Sequence, residues 1–182
     1  PGDCIAIDCL TYPGVKSAAR RNGLRLKAVD MDAHGMLPAS LEAVCNRHEI
    51  KGVCASGNIQ NPTNYNMTEE RRQAISAIIK KRNLLLVEDD IYGFLAPSSN
   101  TLTALVPQHV IYIAGLSKAF YPGLRTAFVA APPDLCVKIT QCIVDSIWMS
   151  SPLFAEIACE AIQSGFADKV MDRKKRELAR RI

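Results

Sequence analysis

Short apolar runs alternate along the chain with longer stretches in which apolar residues recur every three or four positions, the pattern of strands joined by helices that cross over a sheet. The runs predict strands over 3–8, 25–29, 52–55, 84–88, 110–114 and 126–131. The longer stretches predict helices over 15–22, 38–47, 69–82, 134–146, 152–164 and from 167 onward. Within 69–82, Ala74, Ile75, Ile78 and Ile79 share one face and Thr68 stands where an N-cap hydroxyl belongs, while Gly23 ends the first helix. The regular alternation predicts an α/β fold, a mostly parallel sheet flanked by helices.

In such sheets ligands bind in the crevice beyond the carboxyl ends of the strands, and several predicted strands lead into chemically distinctive residues. Thr11-Tyr12-Pro13-Gly14 follows the first strand, Asn61-Pro62-Thr63-Asn64 follows the run at 52–55, and Asp89, Asp90 and Tyr92 follow the run at 84–88. After 110–114 comes Gly115-Leu116-Ser117-Lys118, with Arg125 seven residues beyond the lysine. A lysine in that turn-rich connection can lose hydration, which lowers its pKa and frees the amine for Schiff-base chemistry with a carbonyl. An arginine offers a planar fork that matches phosphate geometry. Taken singly, each residue has an ordinary use: Asp89 as a helix cap, Tyr92 as a core aromatic, Asn61-Pro62 as a turn, Pro13 as the start of a helix. Taken together in this order, they predict carbonyl chemistry beside a phosphate.

The ordered set Tyr12-Pro13-Gly14, Asn61-Pro62-Thr63, Asp89-x-x-Tyr92 and Ser117-Lys118 with Arg125 resembles the large domain of class I/II aminotransferases, the fold type I pyridoxal-phosphate enzymes, over nearly the whole chain. Val87-Glu88-Asp89-Asp90-Ile91-Tyr92-Gly93-Phe94-Leu95, and Ala114-Gly115-Leu116-Ser117-Lys118 followed by Ala130-Ala131-Pro132, are most similar to the aminotransferase-like domains of MocR-type transcriptional regulators in the GntR family. The resemblance implies pyridoxal 5'-phosphate as cofactor and Lys118, Asp89 and Tyr92 as catalytic residues. Lys118 would carry the cofactor aldehyde as a Schiff base and, once displaced by an amino substrate, move the proton between substrate and cofactor. Asp89 would pair with the pyridine nitrogen, Asn61 and Tyr92 would donate to the ring phenolate oxygen, and Tyr12 would lie on the ring face. Ser117 and Arg125 would take the phosphate. The resemblance also implies that the strand at 126–131 runs antiparallel to its neighbour. Two positions depart from the family pattern. Asn64 stands where glycine is usual, an exchange the left-handed region tolerates. Gly115 replaces a hydroxyl-bearing phosphate ligand, which leaves Ser117 and Arg125 to carry more of that contact.

By the same resemblance, 1–166 is a cofactor-binding large domain incomplete at its N-terminus, and 167–182 begins a helix that links it to an absent small domain. Residues 1–182 alone are expected to be inactive. The expected partners are an amino acid or other amino compound and a second copy of the chain, because Ser150-Ser151-Pro152 is similar to the segment with which family members reach across a dimer. DNA contact is expected only through a domain outside the chain. Two functions follow: the effector domain of a MocR/GntR-type regulator, in which exchange with an amino compound alters DNA binding, or a stand-alone aminotransferase working between an amino acid and a 2-oxo acid. An α/β binding module that has lost the cofactor is a third reading, and it predicts no lysine adduct.

Composition narrows the setting. With 48% hydrophobic residues over 182 positions the chain can bury a sizeable core. It has no run of about eighteen apolar residues and no charged-then-apolar leader, so no membrane span is expected and the cytoplasm is the expected location. Cys4, Cys9, Cys45, Cys54, Cys136, Cys142 and Cys159 form no C-x-x-C pair and fall in apolar segments, which predicts buried free thiols in a reducing compartment. His34, His48 and His109 lie far apart, and no metal site is expected. Seven basic residues against three acidic ones in 167–182 give that stretch a charge equal to the whole chain's +4. Lacking interleaved aromatics, it reads as a solvated helix face rather than a nucleic-acid surface.

Overall fold

The computed structural model describes residues 1–96 and 100–181. In chain order these form β1 (Cys4–Asp8), α1 (Pro13–Arg21), β2 (Arg25–Val29), a small hairpin of β3 (Met31–Asp32) and β4 (Gly35–Met36), α2 (Pro38–Arg47), β5 (Ile50–Ala55) and α3 (Glu69–Arg82). Then follow β6 (Leu85–Asp89), α4 (Leu102–Leu105), β7 (Val110–Gly115), α5 (Leu116–Ala119), β8 (Ala127–Ala130), α6 (Pro133–Ile147), α7 (Pro152–Gln163) and α8 (Phe166–Ala179). The hairpin, α4 and α5 are too short to leave a periodic signal, and the sequence does not predict them.

Six strands make one sheet in the order β2-β1-β5-β6-β7-β8. The first five are parallel and β8 is antiparallel to β7, as the resemblance implies. All parallel strands therefore end on one edge of the sheet. β8 starts on that same edge, because Gly115 at the end of β7 pairs with Ala127 at the start of β8.

Alternation along β6 assigns the two faces. Leu86 and Glu88 point into the buried side, while Leu85, Val87 and Asp89 are half-buried on the other. Leu86 joins Val53, Val110, Leu41, Ile75 and Ile79 in one apolar cluster with α2 and α3. The predicted face of α3 is the one buried, with Ala74 at its half-exposed margin. Thr68 caps that helix, its hydroxyl accepting the Arg71 N–H at 3.2 Å. Thr68→Ala is expected to cost about 1 kcal/mol of stability, read by urea unfolding.

Glu88 and Arg72 are charged side chains buried on the α3 side, and both hold loops. Glu88 has no exposed surface. Its carboxylate accepts the N–H groups of Leu102 at 2.9 Å and Thr103 at 2.7 Å together with the Thr103 hydroxyl, so it caps the start of α4. Arg72 on α3 donates to the Gly57 carbonyl at 2.7 Å and to the Asn58 Oδ1 at 2.9 Å, pinning the loop that leaves β5.

The thiols do not follow the sequence expectation of burial. Cys4 is buried, whereas Cys45, Cys54 and Cys136 are half-buried and Cys9, Cys142 and Cys159 are exposed. At Cys142 and Cys159 apolar neighbours in sequence mislead because α6 and α7 leave much of their apolar surface open in this chain, including Val137, Ile147 and Leu153. Among the described residues no helix is long and apolar enough to cross a membrane.

Candidate active site

The edge on which the parallel strands end encloses a cavity of about 370 Å³. Tyr12, Asn61, Asp89, Tyr92, Ser117, Lys118 and Arg125 all line it. Residues spread over more than a hundred positions meet there because each lies at or just beyond the end of a parallel strand, except Arg125, which precedes the antiparallel β8.

Tyr12 is the last residue before α1, and Pro13 opens that helix. The helix-start role and the cavity position therefore coexist. The tyrosine ring lies against Gly14 so closely that a Cβ there would overlap it. Asn61 sits in a turn that begins with a cis Asn61–Pro62 bond and ends at Asn64, whose φ of +58° is the left-handed conformation anticipated from sequence. Gln60 ties this turn to the first loop. Its Nε2 donates to the Leu10 carbonyl at 2.6 Å, and its Oε1 accepts the Thr63 N–H at 3.0 Å and the Thr63 hydroxyl at 2.7 Å. Gln60 is thus a buried positioning group for both Tyr12 and Asn61, and the sequence reading missed it.

Of the two adjacent carboxylates, one faces the cavity. Asp90 points the other way and is held by the Asn58 Nδ2 at 3.0 Å and the Tyr112 hydroxyl at 2.7 Å. Asp89 lines the cavity and accepts the Ile91 N–H at 3.3 Å. Burial raises the Asp89 pKa and the Asp90 charge adds to the rise, against the pull of that N–H.

Ser117 and Lys118 lie on α5 rather than in an irregular turn, and Lys118 is exposed. The expected loss of hydration at the amine is therefore not met in this chain. Covering a side chain at the mouth of a cavity takes atoms from distant segments, which the local motif does not supply. Arg125 adopts a left-handed backbone with φ +49°, ψ 28° after a short 3-10 turn over Pro122–Leu124. For a residue with a Cβ this conformation costs about 1 kcal/mol, a strain that tends to persist where geometry serves a site. Gly115 also lines the cavity, and a Cβ there would meet its nearest neighbour, Ile91 Cγ1, at an ordinary 3.6 Å. Packing alone does not exclude a hydroxyl-bearing residue at that position.

The sequence reading also missed Asp8 and Cys54 on the cavity wall. Asp8 is 2% exposed, its Oδ2 accepts the Tyr65 hydroxyl at 2.8 Å and its Oδ1 has no partner. Burial pushes its carboxyl up to about 6, with the hydrogen bond from the Tyr65 hydroxyl opposing. Burial first, then the charges of Asp89 and Asp8, pushes the Cys54 thiol up to about 12. The signal for Asp8 was present: like Asp89, it is a carboxylate that ends an apolar strand.

The Asp8 shift has a sign that can be tested. Between the unfolded value near 3.8 and the folded value of about 6, the folded protein holds a proton that the unfolded chain releases. Stability therefore falls as pH rises through that window, by up to about 3 kcal/mol, and stays lower above it. Asp8→Asn removes this fall. Urea unfolding of the protein without added cofactor, from pH 4 to 7, checks the difference in slope between the two.

The chain matches the model of aminotransferase class I and II over residues 1–182. It is 36% identical over 184 residues to an uncharacterized HTH-type transcriptional regulator, YdeF of Bacillus subtilis, spanning 100% of this chain and 39% of that protein. It is 28% identical over 206 residues to aromatic amino acid aminotransferase C569.07 of Schizosaccharomyces pombe, spanning 94% of this chain and 43% of that protein. The crystal structure of LysN, the alpha-aminoadipate aminotransferase of Thermus thermophilus, superposes with a TM-score of 0.90 at 26% identity, over 96% of this chain and 46% of that one. The chain thus spans about two fifths of the curated relatives it matches. Its sheet order, its cavity and its match along the whole length agree, and the chain belongs to the class I and II aminotransferase family.

Proposed function

We propose that the cavity holds pyridoxal 5'-phosphate and that the chain is the effector-sensing domain of a MocR/GntR-type transcriptional regulator, with an amino compound as its ligand. The observation that carries the reading is the convergence of an amine, a carboxylate, a guanidinium, a hydroxyl, an amide and an aromatic ring on one cavity. That donor set fits the group: an aldehyde needs an amine, a pyridine nitrogen a counter-charge, a phosphate a cation and hydroxyls, and a flat ring an aromatic face. The LysN structure, complexed with N-(5'-phosphopyridoxyl)-L-leucine, supports the same assignment.

When bound, the group supplies an electron sink for the α-carbon of an amino compound. The rest is the work of this chain. Lys118 would provide the amine that holds the group and a base that can hold and return a proton. Asp89 would pair with the ring nitrogen and fix its charge. Its raised pKa without cofactor marks a carboxylate that a cationic partner would stabilise. Asn61 and Tyr92 would donate to the ring oxygen, Ser117 and Arg125 would hold the phosphate, and Tyr12 would cover one ring face. On this reading the cofactor-binding large domain runs to residue 166, and α8 leads out of it.

The regulator relative supports DNA contact through a further domain, and the cytoplasm is the location proposed with it. The Schizosaccharomyces relative supports the second reading, a stand-alone aminotransferase. DNA footprinting of the intact protein, with and without amino compounds in the presence of pyridoxal phosphate, separates the two. A ligand-dependent footprint supports the regulator. Absence of any footprint, with catalytic transfer of the amino group from an amino acid to an added 2-oxo acid, supports the enzyme. The open apolar surface of α6 and α7 beside Ser150-Ser151-Pro152 supports a homodimer, and sedimentation equilibrium reading only monomer at high concentration would remove that part.

A further inference from the structure

Lys174 lies on α8, far from the cavity in sequence, yet its ammonium reaches the turn that carries Lys118. Its Nζ donates to the Lys118 carbonyl at 2.9 Å and to the Phe120 carbonyl at 2.7 Å. These are orphan carbonyls at the end of the short helix α5, where a cation both completes hydrogen bonds and meets the negative end of the peptide dipoles. A second contact joins the same two elements: the Phe120 and Phe166 rings meet edge to face with centroids 5.8 Å apart. The Lys174 side chain is half-buried, and desolvation alone lowers its pKa, so the clamp is held at some cost to its charge.

We infer that Lys174 is a positioning residue: it fixes the backbone of Lys118 to α8, so that the placement of this helix and the placement of the reactive amine are one mechanical unit. The inference rests on the reading of Lys118 given above only where it concerns the cofactor. The clamp itself does not. A displacement of α8 strains two charge-assisted hydrogen bonds to the Lys118 turn, and a ligand that changes how Lys118 is held acts back on α8 through the same bonds. Within the proposed regulator this gives a physical route from the ligand to the helix that leaves the domain.

The test uses the intact protein in four forms, wild type, Lys174→Met, Lys174→Arg and Lys175→Met, with two readouts. The first is hydrogen exchange of the Phe120 and Tyr121 amides, both of which donate to the Leu116 carbonyl. The second is the rate at which borohydride traps pyridoxal phosphate on Lys118. Lys174→Met is expected to exchange about tenfold faster at those two amides with β5 and β6 unchanged, and to trap cofactor several-fold more slowly. Lys174→Arg restores both to within about twofold because it keeps the donors and the charge, and Lys175→Met changes neither. Unchanged exchange in Lys174→Met, exchange that rises equally in β5 and β6, or failure of arginine to restore it overturns the clamp. A wild type that traps no cofactor on Lys118 overturns the cofactor reading, while the exchange measurement still decides the clamp.

Discussion

Lys118→Ala is expected to abolish covalent capture of pyridoxal phosphate while leaving the fold intact. The side chain is exposed at the cavity mouth and the described hydrogen bonds at this residue run through its backbone, so its removal leaves no buried void and no unpaired buried group. Unfolding free energy should change by less than about 0.5 kcal/mol, as at other surface positions. The visible absorption that pyridoxal phosphate gains on reaction with the wild-type protein should be absent from the variant. Loosely held cofactor would remain, because Asp89, Arg125 and Ser117 still line the cavity. The separation of lost capture from retained stability distinguishes a reactive lysine from a structural one. A variant that captures cofactor like wild type would move the reactive amine elsewhere.

The largest expected loss of stability comes from Glu88, a neighbour in sequence of Asp89 that faces the opposite side of the sheet. Glu88→Ala leaves the Leu102 and Thr103 N–H groups without their acceptor and opens a void beneath α4. Buried donors left unpaired cost about 1–3 kcal/mol each. The expected loss is therefore at least about 3 kcal/mol, a large share of the roughly 5–15 kcal/mol that holds a typical domain together. Glu88→Gln keeps a carbonyl oxygen and should cost less. Urea unfolding at a fixed pH reads both. The contrast between adjacent carboxylates is the informative part: Glu88 substitutions should act on stability and Asp89 substitutions on cofactor binding.

The layout of strands and helices is legible in the sequence because most elements present either a short apolar run or a repeating apolar face to one core. Strand 25–29 and helices 38–47 and 69–82 appear at the predicted positions, and most other bounds move by a residue or two. The site is legible for a related reason. In a parallel sheet every strand end falls on one edge, so residues following separate strands are brought together by topology without any signal linking them. Arg125 reaches that edge only because β8 turns back, and its antiparallel course came from resemblance rather than from periodicity.

What was not legible depends on contacts between distant segments. Gln60 looks like any polar loop residue until its side chain is seen joining Leu10 to Thr63. The role of Lys174 is hidden within a run of basic residues, of which it reaches back to Lys118 and Phe120. The exposure of Lys118, Cys142 and Cys159 is set by what covers α5, α6 and α7, and local apolarity says nothing about that. Asp8 is the exception, since the signal that identified Asp89 applied to it equally.

The central claim is that one cavity holds pyridoxal 5'-phosphate through one lysine. The chain contains ten lysines, many of them exposed and able to react nonspecifically with an aldehyde. The most direct measurement is therefore to add substoichiometric pyridoxal phosphate to the intact protein, reduce with borohydride and map the modified peptide by mass spectrometry. The account predicts a single predominant adduct on Lys118, suppressed when inorganic phosphate competes for the site. Modification spread over surface lysines, or concentrated on a lysine outside the cavity, would contradict it.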